Sequence, residues 1–367
     1  MIPFTRPIPT GRELTYLAEV VASSHWQGDG PQTAACHKLI RHHTAASYAL
    51  LTTSCTTALE MACLLADLKP GDEVVMPSWT FASSANAVAL RGAVPVFVDI
   101  LPDTLCLDPA RVIAALTPRT KAIMPVHYAG VIADMNRLTE IAREYDLTVI
   151  EDAAQSYLTP RTSGWGSMLC YSFHATKNVP GGEAGAFVTN DLTLWKPAEI
   201  VREKGTDRGR MLRGEVDKYG WCGLGSSCLP GEVVAAVVRA QLEQARETIT
   251  HRLALWNVYA DAFGRPSGDA PTNGHIYWLR VAAEERGLFL RTLRGEGVEA
   301  QAHFTPLHSS RGGWRYGRTH GSMRETDRIA GEIVRLPLHG GMTVGDAVFV
   351  AEKVRGALRS VFGRSHP

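Results

Sequence analysis

The chain has 367 residues, 45% hydrophobic and 20% charged, which is enough for more than one core and excludes a mainly disordered protein. A formal net charge of +1 leaves no basic field to attract nucleic acid or an anionic membrane. Residues 1–7 lack signal-peptide features, no apolar run is long enough to cross a bilayer, and seven dispersed cysteines with no CxxC pair point to reduced thiols in a cytoplasmic protein.

From residue 45 to 190, short β-rich runs alternate with helical patterns, which predicts an α/β fold with a mostly parallel, seven-stranded sheet covered by helices. The strands are expected at 48–52, 73–77, 95–98, 122–126, 148–151, 168–172 and 186–189, with helices over 56–67 and 135–145 between them. Pro70-Gly71-Asp72 marks the turn before the second strand. A long helical pattern then runs from Glu232 to about Phe263. Residues 264–274 are rich in Gly, Pro and polar side chains, which places a hinge there. Residues 1–263 are therefore expected to form a large domain with an N-terminal arm, and 264–367 a smaller α+β domain. Within the latter, a strand is predicted near 276–281 and helices near 286–295 and 344–358.

The chemistry concentrates in three stretches: Val149-Ile150-Glu151-Asp152-Ala153-Ala154-Gln155, Tyr171-Ser172-Phe173-His174-Ala175-Thr176-Lys177-Asn178, and Gly181-Gly182-Glu183-Ala184-Gly185. Asp152 ends an apolar strand, where open α/β sheets place their ligands. Lys177 follows the next strand among small, flexible residues. An aldehyde cofactor needs a lysine amine to form a carbon–nitrogen double bond and an acidic partner for its pyridine nitrogen. Singly, the aspartate reads as a cap and the lysine as a solvated charge; their order and setting lift them above that.

In these motifs the sequence resembles the DegT/DnrJ/EryC1/StrS sugar aminotransferases, a branch of the fold-type I pyridoxal-phosphate enzymes. The resemblance also rests on Ile2-Pro3-Phe4, Gly28-Asp29-Gly30, 51–59, Pro77-Ser78-Trp79-Thr80-Phe81, Pro125–Gly130 by position, Pro306-Leu307-His308 and Arg335-Leu336-Pro337-Leu338. The wording of 172–178 and 202–208 is similar to that of C4 aminotransferases acting on dTDP-4-keto-6-deoxyglucose. The resemblance implies an aspartate-aminotransferase-like large domain, with pyridoxal 5'-phosphate as cofactor and pyridoxamine phosphate as its intermediate form. It assigns Lys177 as the lysine that bonds the cofactor, Asp152 as the pyridine-nitrogen partner, Gln155 near the ring hydroxyl, and Ser172 on the phosphate. Phe81, rather than Trp79, would stack on the ring, and His174 would touch the sugar or relay a proton. Ser54, Cys55 and Thr56 would present backbone N–H groups to the phosphate, a role that a strand–turn–helix supports physically in any case.

The family's homodimers have active sites at the subunit interface, so a dimer is expected. Ser227 takes the place of an asparagine that reaches the neighbouring subunit's phosphate, while Leu229 stands where many members have arginine. The implied substrates are a TDP-sugar and L-glutamate, giving a dTDP-4-amino-4,6-dideoxyhexose. Arg202, Lys204, Arg208, Arg210 and Arg213 could face the diphosphate or simply be a solvated loop. His127, His303 and His308 are pocket candidates, each equally readable as a structural histidine, and no metal-ligand spacing is present.

Other readings are an aminotransferase for a C3 keto sugar or a cyclitol ketone, a non-catalytic cofactor-binding regulator, and a nicotinamide-dependent reductase. The regulator reading lacks a basic DNA-binding module. The reductase reading lacks the required glycine-rich turn, since Thr52–Thr57 contains no glycine.

Overall fold

The computed structural model describes residues 1–161 and 166–363; residues 162–165 of the expected large domain and 364–367 of the expected small one lie outside that description. Its strands fall where β-branched and apolar runs predict them: β1 (Tyr48–Thr52), β2 (Glu73–Pro77), β3 (Val94–Val98), β4 (Thr120–Ile123), β5 (Thr148–Asp152), β6 (Met168–Ser172) and β7 (Gly185–Thr189). β8 (Trp278–Arg280), β9 (Arg318–Thr319) and β10 (Ile333–Arg335) follow in the C-terminal part. The large sheet runs β1-β7-β6-β5-β4-β2-β3-β9. β7 is antiparallel to both β1 and β6, and all other pairs are parallel.

The sheet therefore has eight strands where seven are expected. The eighth, β9, is a two-residue edge strand donated by the C-terminal region to β3. A segment that short carries no periodicity from which to read it.

Alternation along the strands sorts the core into two layers. Leu50, Met168, Cys170 and Phe187 face the helix Cys55–Leu65 on one side. Ala49, Leu51, Leu169, Tyr171, Ala186 and Val188 face the helices Pro31–Thr44 and Glu232–Glu243 on the other. Covered on both faces, the central strands β2, β6 and β7 are buried at every residue.

The long helical pattern from Glu232 is two helices, Glu232–Glu243 and Ala245–Phe263, broken at Gln244 (φ −107°, ψ 12°). Leu255, Trp256 and Tyr259 of the second helix pack with Tyr277, Phe289, Val334 and Val354 in a separate C-terminal core. The helix Arg286–Gly295 matches its prediction, and the last helix extends to Phe362. No helix among the described residues is long and apolar enough to cross a membrane.

Candidate active site

All the parallel strands end at one edge of the sheet, and β7, running the other way, begins there. At that edge β1 turns through Thr53 and Ser54 into the helix Cys55–Leu65. Ser54 is extended (φ −166°, ψ 166°), and its Oγ accepts the N–H of Thr57 at 3.0 Å, an N-cap that fixes the turn. Among the described residues no acceptor pairs with the N–H of Cys55 or Thr56, so two donors at the positive end of the helix dipole remain available. Thr56 Oγ1 is bonded to Ser83 Oγ at 2.7 Å.

A cavity of about 380 Å³ opens at this edge. Ser54, Cys55, Thr56, Phe81, Asp152, Gln155, Ser172, His174 and Lys177, drawn from separate stretches of the sequence, all line it. Asp152 closes β5, is 4% exposed, and takes hydrogen bonds from Ser84 Oγ at 2.6 Å and Ala154 N at 3.1 Å. Gln155 Oε1 accepts the Ala129 N–H at 2.7 Å, which fixes the amide group at the cavity wall. Ser172 ends β6 and is buried, its Oγ accepting the N–H of His174 at 3.3 Å. His174 Nδ1 accepts the N–H of Thr176 at 3.2 Å, so its proton sits on Nε2, 3.4 Å from Glu183.

Burial pushes the Lys177 amine below the usual lysine range, with Arg335 acting in the same direction, while Cys55 and Asp152 pull it back. A lysine shifted this way holds more of its neutral, nucleophilic form at a given pH. Phe81 is 64% exposed and lies in the cavity wall with its ring centroid 6.4 Å from that of Phe304, whereas Trp79 is fully buried against Tyr128 and Phe304.

The other candidate histidines, His127, His303 and His308, lie outside the cavity lining. His127 is fully buried, with Nε2 2.6 Å from Glu151 and Nδ1 accepting Ala133 N–H at 3.2 Å, a structural hydrogen-bonding role. His308 joins Ser78 (2.8 Å) to Asp327 (3.2 Å). His303 stacks on Phe304 and meets the Tyr128 hydroxyl; burial, Arg335 and Lys177 hold it well below the ordinary imidazole range.

The basic stretch is also absent from the lining, and its charges are matched by carboxylates. Arg202 is buried on Asp29, Lys204 and Arg208 meet Glu203, Arg210 meets Asp207 and Glu215, and Arg213 meets Glu199 and Glu215. Of the two readings of that stretch, the geometry within this chain favours charges spent on neighbouring acids. Ser227 is exposed, outside this cavity, on a segment bridged to Glu203.

Residues 8–355 match the model of the DegT/DnrJ/EryC1/StrS aminotransferase family. The chain belongs to that family. It is 31% identical to a GDP-perosamine synthase of Caulobacter vibrioides over 94% of this chain and 95% of the relative. The structure of the aminotransferase TlmJ from Streptoalloteichus hindustanus superposes with a TM-score of 0.89 at 29% identity, covering 99% of this chain and 100% of that one. NtdA from Bacillus subtilis, with bound cofactor PMP, superposes with a TM-score of 0.84 at 26% identity, covering 98% and 85%. A family member of this kind is a pyridoxal-phosphate-dependent sugar aminotransferase.

The cavity residues fit that cofactor. The open N–H groups of Cys55 and Thr56 suit a phosphate, the buried Asp152 carboxylate suits a protonated ring nitrogen, and the desolvated Lys177 amine suits an aldehyde. Sequence reasoning did not single out Thr80, Ser83, Thr176, Glu183 and Phe304, which also line the cavity. Thr80 and Ser83 belong to or adjoin the Pro77–Phe81 motif, which signalled the region but not which side chains turn inward. Phe304 arrives from far along the chain and has no local signal.

Proposed function

We propose that this aminotransferase moves the amino group of L-glutamate onto the keto carbon of a nucleotide-linked 4-keto-6-deoxyhexose. The convergence of Lys177, Asp152, Gln155, Ser172 and the Ser54–Thr56 helix start on one cavity carries the reading. Bound there, pyridoxal phosphate supplies the electron sink that makes the Cα proton of an amino acid removable. Asp152 would pair with the ring nitrogen, and Ser172 with the Cys55 and Thr56 amides would hold the phosphate. Gln155 would hold the ring hydroxyl and Phe81 the ring face. Lys177, its neutral amine favoured by burial, takes the proton from Cα of glutamate in one half-reaction and delivers a proton to the sugar's C4 in the other. His174, at the cavity rim, contacts the sugar.

The sugar nucleotide has two candidates. The wording of 172–178 and 202–208 favours dTDP-4-keto-6-deoxyglucose, and the named relative makes a GDP-linked sugar the alternative. A homodimer completes the site. Tyr219, Trp221 and Leu224 are 51%, 80% and 63% exposed in the segment that leads to Ser227, apolar side chains that a second copy would cover in bringing Ser227 to the neighbouring cofactor. Product NMR after incubating the holoenzyme with glutamate and either the dTDP- or the GDP-linked 4-keto sugar tests the reading. Amine at C4 is expected from one of them, and no turnover with both, or turnover by Lys177→Ala, overturns it.

A further inference from the structure

Asp152 does not stand alone in the cavity wall. Its Oδ2 lies 2.6 Å from Ser84 Oγ, and Ser84 Oγ lies 2.8 Å from Thr80 Oγ1. All three are nearly sealed from solvent, with exposures of 4%, 0% and 2%. Bond directions follow from donor inventory. An ionised carboxylate only accepts, so the single Ser84 proton goes to Asp152, and Thr80 must then donate to Ser84. The Phe81 carbonyl, 3.2 Å from Ser84 Oγ, is a longer and neutral competitor for that proton, so the charged acceptor wins. The second carboxylate oxygen, Oδ1, is taken by the backbone N–H of Ala154.

We propose that Ser84, backed by Thr80, is the positioning residue that fixes the Asp152 carboxylate toward the cofactor's ring nitrogen. This rests on the assignment of Asp152 as the nitrogen's partner. With one oxygen held by the turn after β5 and the other by the first turn of the helix Ala82–Ala89, the carboxylate cannot rotate about Cβ–Cγ without losing a buried hydrogen bond. Its remaining lone pairs are then presented in a fixed direction, and hydroxyls in series strengthen one another. Ser84 is fully buried and absent from the cavity lining, so it acts through Asp152.

The test compares wild type with Ser84→Ala, Ser84→Thr, Thr80→Val and Asp152→Ala. Cofactor affinity is measured by equilibrium dialysis, and the pH dependence of the bound cofactor's visible absorbance is recorded in parallel. Ser84→Ala is expected to weaken cofactor binding about tenfold, the value of one hydrogen bond to a charged acceptor, and to shift the absorbance titration. Ser84→Thr restores both, and Thr80→Val shifts both in the same direction by less. If Ser84→Ala folds poorly, Thr80→Val alone carries the decision. Wild-type affinity and titration in Ser84→Ala and Thr80→Val, with both lost in Asp152→Ala, overturn the positioning role. Wild-type behaviour in Asp152→Ala overturns the assignment beneath it.

Discussion

Gly185 lies against the backbone of the Ser54–Cys55 turn: a Cβ added to it would stand 2.4 Å from Cys55 N and 2.4 Å from the Ser54 carbonyl carbon. The contact arises because Gly185 begins β7 opposite Thr52, the last residue of β1. Both neighbours are backbone, so neither yields by a rotamer change. Gly185→Ala is expected to push the turn away from β7, at a cost of about 1–3 kcal/mol as for other overpacked positions. The displaced N–H groups of Cys55 and Thr56 should also hold the phosphate less well. Denaturant unfolding and cofactor dialysis check this together; a variant unchanged in both would show that the turn has room to spare.

Cys55 sits in the cavity wall yet is chemically quiet. Burial pushes its thiol well above the ordinary range and Asp152 adds to the rise, while Lys177 opposes it. Its Sγ also leans on the Cys170 carbonyl at 3.3 Å. The reactive species is the thiolate, which this environment suppresses. Treatment of the holoenzyme with iodoacetamide near neutral pH should therefore leave Cys55 unmodified by peptide mass mapping, and Cys55→Ser should keep kcat/KM close to wild type. Rapid inactivation that maps to Cys55 would contradict the burial argument.

Acid should loosen the turn that precedes the site. His37 Nε2 accepts the N–H of Leu51 in β1 at 2.9 Å, so that nitrogen must stay unprotonated in the fold. Burial lowers its pKa to about 3, with Arg202 assisting. The unfolded chain takes up this proton near pH 6.5 and the folded one does not, so stability is whole above about pH 6.5 and falls as pH drops toward the folded value. Allowing for the part of the residue that stays in contact with solvent, the loss by about pH 5 should be about 1–2 kcal/mol. Unfolding free energies across this range for wild type and His37→Gln are the measurement, and the slope should shrink in the variant.

The proposed site residues that the sequence singles out are the ones with local signals, and they line one cavity. Asp152 closes a strand and Lys177 lies in the loop five residues after the next one, each in a stretch whose apolar run predicts the strand, and the cap at Ser54 follows from its place before a helical pattern. What could not be read depends on distant chain segments. β9 pairs with β3 across more than two hundred residues and is only two residues long. The break at Gln244 lies inside an unbroken helical pattern, with neither glycine nor proline to announce it. Ser84 looks like any helix serine until Asp152 is folded against it, and the arginines of 202–213 look like a cationic face until their carboxylate partners are placed. His127 is similar: only the fold shows its ring spent on Glu151 and Ala133.

Glu73, at the start of β2 and 1% exposed, is gripped by Arg119 at 2.6 Å, Arg318 at 2.8 Å and the Thr117 hydroxyl at 2.7 Å. Burial pushes its carboxyl up, but the bonds from Arg318 and Arg119 outweigh that and bring it to about 2. Arg318 opens β9, so this pair ties the edge strand to the interior of the sheet. A depressed carboxyl stabilises the fold above its unfolded pKa, near 4.5, and that contribution drains away as pH falls toward 2. Arg318→Ala leaves Arg119 in place, so the cost should be about 1–2 kcal/mol near neutral pH rather than that of an abandoned buried charge. The Glu73 titration should also rise, moving the onset of acid unfolding to higher pH. Carboxyl NMR of Glu73 beside urea unfolding reads both quantities, and an unmoved titration in Arg318→Ala would mean that Arg119 alone sets the charge and that β9 is held by its backbone pairing to β3.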